Sequence, residues 1–91
     1  MERSKRAVIT IVGIDRTNIL APSATEVAKV DGNIINVSQQ VFEGLFTMSM
    51  VVEIENLKCS LDELQKAVAA SVPDMVVHVM HEDIFNAMHT I

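Results

Sequence analysis

The chain is poor in the residues that staple, stiffen or anchor small proteins. Cys59 is the single cysteine among 91 residues, so no intrachain disulfide forms and a zinc site built on several thiolates is excluded. Trp and Tyr are absent and only three Phe occur. The interior must therefore be aliphatic, with six Met to fill irregular gaps. No apolar run approaches the ~20 residues of a membrane helix, and the opening MERSKRAVITIVGIDR has no signal-peptide cleavage region. A cytoplasmic protein with no membrane partner is expected.

Positive charge is scarce as well. The formal net charge is -5, and Arg3, Lys5 and Arg6 gather at the start beside Glu2. The remainder is thus more acidic than the whole and would repel a phosphate backbone. The basic cluster is too short to serve as a nucleic-acid arm, and residues 1–5 are expected to be a mobile terminus.

Catalytic and metal signatures are equally thin. Ser38 and Ser49 lie within strand patterns and no GxSxG surrounds a serine. Gly13 stands alone and matches neither a dinucleotide fingerprint nor a phosphate loop. Cys59 precedes Ser60 at the head of a helix and reads as a loop thiol. His78 and His81 differ by an odd number along one strand, so they point to opposite faces. His81, Glu82, Asp83 and His89 converge only if the tail folds back, and no HExxH motif is present. No enzyme, cofactor or metal site is expected.

What is present is pattern. Hydrophobic residues make up 49% and charged residues 21% of the chain, enough for one packed interior over residues 1–91. AVITIVGI (7–14) is apolar on both parities, as in a central strand. Leu20, Ala24, Val27 and Ala28 fall on one helix face. Thr17 or Asn18 is placed to cap that helix, with Pro22 distorting its first turn, and Asp31-Gly32 ends it with glycine in the left-handed conformation.

NIINVSQQVF (33–42) and LFTMSMVVEIE (45–55) flank a Glu43-Gly44 hairpin turn. In the second strand Phe46, Met48, Met50, Val52 and Ile54 share one face. The polar first strand, with Asn36, Ser38 and Gln40 opposite Ile35, Val37 and Val41, suits a sheet edge. Ser60-Leu61-Asp62-Glu63 is a capping box for a second helix with a Leu61, Leu64, Val68 and Val72 stripe. MVVHVMH (75–81) is a fourth strand, with Val77 and Val79 toward the helices and Val76, His78 and Met80 away. Residues 82–91 close the chain as a short helix or tail carrying Ile84, Met88 and Ile91.

The order β-α-β-β-α-β predicts an α+β, ferredoxin-like fold: a four-stranded antiparallel sheet with two helices on one face. Met48, Met50, Val52 and Ile54 should pack against Leu20, Val27, Leu64 and Val68. The opposite sheet face, with Val51, Val76 and Met80, is too apolar to stay bare. The tail or a second subunit must cover it, and a homodimer through the 33–42 edge, the open face or both is expected.

One stretch reads as more than a connector. GIDRTNILAP (13–22) leads into a helix N-terminus, where free backbone N–H groups attract an anion such as a carboxylate. Asp15 is placed to take an ammonium. A carboxylate and an ammonium so spaced describe an amino acid; the alternative is that Asp15 and Asn18 satisfy local backbone groups alone.

With that order, VGIDRTNILA, NIINVSQQ and HEDIFNAMHTI make the chain resemble an ACT domain, and more narrowly the small stand-alone ACT proteins of bacteria and archaea. The resemblance covers nearly the whole chain. It implies a regulatory, non-catalytic module that binds an amino-acid effector between its first loop and a neighbouring subunit, with a partner enzyme or regulator of unknown identity. The loop residues carried over are Asp15, Arg16, Thr17, Asn18, Ile19 and Leu20, and Asn33 opens the second strand. Asn18 stands where the family usually has glycine; asparagine tolerates the left-handed turn, but its side chain fills space that glycine leaves. The rival reading is a protein-interaction module, or a dimeric regulatory subunit with no ligand site.

Overall fold

The computed structural model of the chain describes residues 5–88. The expectations placed on residues 1–4, on His89 and on Ile91 lie outside them. The element order is β1 (Arg6–Ile14), α1 (Leu20–Lys29), β2 (Asn33–Phe42), β3 (Leu45–Glu53), α2 (Leu61–Ser71), β4 (Val76–His81) and α3 (Glu82–Met88). The strands form one sheet in the order β2-β3-β1-β4, and every neighbouring pair is antiparallel. This is the ferredoxin-like arrangement that the alternation of elements predicts.

The core lies between the sheet and the two longer helices. Ile9 and Ile11 of β1, Phe46, Met48, Met50 and Val52 of β3, and Met75 and Val77 at the start of β4 are buried together. They meet Val27 of α1 and Leu64, Val68 and Val72 at α2, while Leu20, Ile54 and Val79 pack at the margin. Alternation along β3 makes this possible: its odd-numbered residues Thr47, Ser49 and Val51 remain partly exposed on the other face.

The helix ends follow local chemistry, with three corrections. The capping box at α2 forms as expected, with Ser60 Oγ accepting from the Glu63 amide and Glu63 Oε1 accepting from the Ser60 amide. At α1 neither Thr17 nor Asn18 caps. Ile19 occupies the cap position with helical backbone angles and no side-chain cap is made. Pro22 is then the third helical residue, where an N–H would have no intrahelical partner, so the expected distortion does not arise. The buried stripe of α1 runs through Ile19, Ser23 and Val27, leaving Ala28 exposed. Ser23 is tolerated at 0% exposure because its hydroxyl donates to the Ile19 and Leu20 carbonyls.

The third correction concerns the end of α1. Asp31, with φ 61, takes the left-handed position, and its amide and that of Gly32 bond back to Ala28 and Val27 carbonyls. Gly32 is needed for a different reason: a Cβ there would meet Val27 Cγ1 at 2.6 Å and Val52 Cγ1 at 3.1 Å.

The face away from α1 and α2 is not wholly bare. α3 lies against β1 and β4, Arg6 bonds Glu82 at its start, and Val8 on that face is buried. Ile84 and Met88 of α3 are exposed, and Val76 stays 60% exposed. Among the described residues, no helix is long and apolar enough to cross a membrane.

Candidate ligand-binding loop

The loop that follows β1 is fixed at both ends. The Asp15 amide donates to the Gly44 carbonyl at 2.8 Å, which joins the loop to the tip of the β2–β3 hairpin. That tip is a two-residue turn with positive φ at both Glu43 and Gly44, the geometry that matches the twist of a hairpin. At the far end Ile19 is 3% exposed and anchors the helix start in the core. Between these points Asn18 adopts φ 62, as asparagine tolerates.

Arg16 organises the middle of the loop. Its Nε and Nη2 donate to the two carboxylate oxygens of Asp74 at 2.6 and 2.8 Å. Its Nη1 donates to the Thr17 and Asn18 carbonyls at 2.8 and 3.0 Å. The hydrogen bonds from Arg16 draw the Asp74 carboxyl down to about 2, so the pair is fully charged at neutral pH. Asp74 is brought there by Gly13, where a side chain would collide with the Met75 sulfur and crowd the Asp74 carbonyl.

Asp15, Arg16, Asn18, Ile19, Leu20 and Ala21 line a concavity of about 540 Å³, closed on the other side by Gln39, Gln40 and Val41 of β2 and by Phe46. Thr17 is in the loop but not in its lining. The floor is apolar. The charged side chains in the wall are Asp15 and Arg16, and Arg16 is already held by Asp74. The N-terminus of α1 opens here with no side-chain cap and no acidic residue in its first turn, so its positive dipole end is uncompensated by the helix itself.

Asn33 is elsewhere. It pairs across the sheet with Glu53 and donates to that carboxylate at 2.7 Å. This end of β2 is opposite to the one that meets the loop. It borders a larger concavity of about 790 Å³, lined by Lys5, Arg6, Glu55, Glu82 and other charged or polar groups, several of them joined in surface ion pairs. Within a single chain, Asn33 does not join Asp15 and its neighbours.

The other candidates stay apart. Burial, and then the Glu63 carboxylate, push the Cys59 thiol up, the reverse of what a nucleophilic cysteine needs. His78 and His81 project from opposite faces of β4. Among the described residues, no group of three or more His, Cys, Asp or Glu side chains is arranged to hold a metal ion.

Reading the sequence missed Gln39, Gln40, Val41, Phe46 and Asp74. The first four were reachable, because the Glu43-Gly44 turn puts the end of β2 at the same end of the sheet as the end of β1, with β3 between them, once the sheet order is set. Asp74 was not, since a lone acid after Pro73 gives no sign of a partner 58 positions earlier in the chain.

Comparison with known proteins agrees with this architecture. Residues 5–81 match the family model described as an ACT domain. The chain is 38% identical over 86 residues to a UPF0237 protein of Listeria monocytogenes, covering 92% of this chain and 97% of that one. It is also 38% identical over 88 residues to a UPF0237 protein of Methanocaldococcus jannaschii, covering 94% and 98%. Among solved structures, an ACT domain protein from Streptococcus pneumoniae superposes with a TM-score of 0.74 at 28% identity, over 90% of this chain and 94% of that one. The fold recurs in the regulatory subunit of aspartate kinase from Thermus thermophilus, with a TM-score of 0.65 at 18% identity over 84% of this chain and 51% of that one. Fold and sequence agree, and the chain belongs to the ACT domain family.

Proposed function

We propose that this ACT domain is a non-catalytic regulatory sensor that binds a free amino acid at the loop following β1. The observation that carries the reading is the meeting of three features in one concavity: an uncapped helix N-terminus, a single unengaged carboxylate and an apolar floor. Asn18 at positive φ followed by Ile19 in the right-handed conformation makes successive backbone N–H groups converge, as in an anion nest. A ligand carboxylate fits those groups, and its ammonium fits Asp15. Its side chain would lie against Leu20, Val41 and Phe46, so an uncharged amino acid suits the wall better than a charged one. ACT domains are typically regulatory ligand-binding modules, which supports the same class of role.

The reading includes a homodimer formed through β2. That strand is an edge ten residues long, and Ile35, Val37, Val41 and Phe42 are all exposed. Antiparallel pairing of two such edges would carry the Asn33 end of one subunit toward the loop end of the other. Asn33 would then contribute from across the interface.

The test is calorimetry and thermal shift against the twenty amino acids. One binder at 100 times its dissociation constant should add about 2.7 kcal/mol of stability, and Asp15→Ala should abolish most of that gain. No binding by either the parent or Asn18→Gly would reject the sensor. The exposed apolar residues of β2 would then favour a module that docks a protein partner at its sheet edge.

A further inference from the structure

Arg16 stands in the ligand loop, yet four of its five N–H donors are spent inside the protein. Two go to Asp74 and two to consecutive backbone carbonyls. This is an unusual use of an arginine at the mouth of a site that would receive a carboxylate. It removes Arg16 from the direct recognition that loop position alone suggests.

The consequence lies in the peptide planes. Among the described residues no peptide bond is cis, and in a planar trans peptide the C=O and the N–H point in opposite directions. The Thr17 carbonyl shares its plane with the Asn18 amide, and the Asn18 carbonyl shares its plane with the Ile19 amide. Both carbonyls are drawn onto the Arg16 guanidinium. The amides of Asn18 and Ile19 must therefore face away from it.

Direction is set by the sheet. Asp74, which holds the guanidinium, lies two residues before β4 at one edge, and Gln39 to Val41 belong to β2 at the other. The loop leaves β1 between them, and the concavity lies on the β2 side. Carbonyls pulled toward the β4 side leave the two amides turned toward the concavity. Asp74 is not among the residues that line it.

Building on the ligand-loop reading above, we propose that Arg16 and Asp74 form a positioning clamp that holds the Asn18 and Ile19 amides turned into the concavity. Arg16 is then a positioning residue rather than a ligand contact. A lysine cannot replace it, because one ammonium cannot serve both carboxylate oxygens and two carbonyls in a fixed plane.

The clamp is tested on the full chain with Asp74→Asn and Arg16→Lys by measuring residual dipolar couplings of the Asn18 and Ile19 N–H vectors. In the parent these should report fixed vectors. In each variant they should shrink toward zero while those of α1 beyond Ser23 are unchanged. Couplings that stay the same in Asp74→Asn overturn the clamp. Titration with acetate, followed at the same two amides, separates this from the ligand reading. If acetate binds the parent, Asp74→Asn should weaken it at least tenfold, and equal affinity overturns the clamp. If neither acetate nor any of the twenty amino acids binds the parent or Asn18→Gly, the ligand reading falls, and the couplings still decide the clamp.

Discussion

The two βαβ halves of the chain repeat one plan and finish it differently. In the second half, α2 begins with a complete capping box and two acidic residues in its first turn. Its edge strand β4 is six residues long, and the outward amide of Val79 is covered by Gln65 Oε1 of α2 at 2.8 Å. In the first half, α1 begins with no side-chain cap and no acid. Its edge strand β2 has ten residues, nine of them exposed. The second half caps its helix start and covers an edge amide from within the chain, whereas α1 has no side-chain cap and β2 stays exposed. On the proposed reading, ligand and partner would bind on the β2 side, and the β4 side would serve stability.

The sharpest test of this division is a pair of truncations. Leu64 is fully buried in α2, and Leu64→Ala should cost about 2–4 kcal/mol in urea unfolding. Val41 on β2 is 55% exposed, and Val41→Ser should change the stability of one subunit by less than about 0.5 kcal/mol. The same Val41 change should shift sedimentation toward the 10.0 kDa monomer if β2 is the dimer edge. A large stability loss at Val41 with an unchanged sedimentation profile would erase the contrast between the edges.

Capping gives the next largest effect. Ser60→Ala removes the acceptor of the Glu63 amide and should destabilise the fold by about 1 kcal/mol. The matching change at the other helix is Asn18→Gly. Asn18 has φ 62 and makes no cap, so relief of left-handed strain and the added chain entropy of glycine, each about 0.5–1 kcal/mol, oppose one another. Thermal unfolding should move little. A loss at Asn18→Gly equal to that at Ser60→Ala would mean that α1 is capped through Asn18 after all.

The sequence made one of these halves far more legible than the other. Ser60-Leu61-Asp62-Glu63, the Leu64 and Val68 spacing and the alternation of β3 are local signals, and each led to the right element and face. The head of α1 was misread because the strongest cap formers there, Thr17 and Asn18, are engaged differently. Arg16 draws their carbonyls aside, and Asn18 turns left-handed, so the cap position falls to Ile19. Ser23 was passed over for the core because its polarity is cancelled by bonds to its own helix. The loop was identified from residue type and its opposing wall was reachable from the sheet order, whereas its clamp to Asp74 depends on a contact 58 positions away in the chain. Such a partner leaves no spacing to read.

The smallest expected effect on stability, and the one most specific to the loop, is its response to acid. Arg16 and Asp74 are about one-third and one-half exposed, so water and salt screen the pair and its closure adds little to global stability near neutral pH. Its sign is nevertheless fixed. The Asp74 carboxyl is drawn down to about 2 by its hydrogen bonds from Arg16, against an ordinary value near about 3.9 in the unfolded chain. A depressed folded value means that the contribution is fully present above the unfolded value and is lost as pH falls through the folded one. The clamp should stay closed from pH 8 to about 4, loosen as pH falls through about 3 and be about half open near 2. The amide signals of Asn18 and Ile19 should follow that course, and Asp74→Asn should remove it. The Glu63 carboxyl, lowered by its bonds from the Ser60 amide and hydroxyl, also protonates in acid, so Ser60→Ala serves as the control for loss of the α2 cap. Loop signals in the parent that stay unchanged from pH 5 to 2, while those of the α2 cap move, would show that Asp74 does not hold the loop through Arg16.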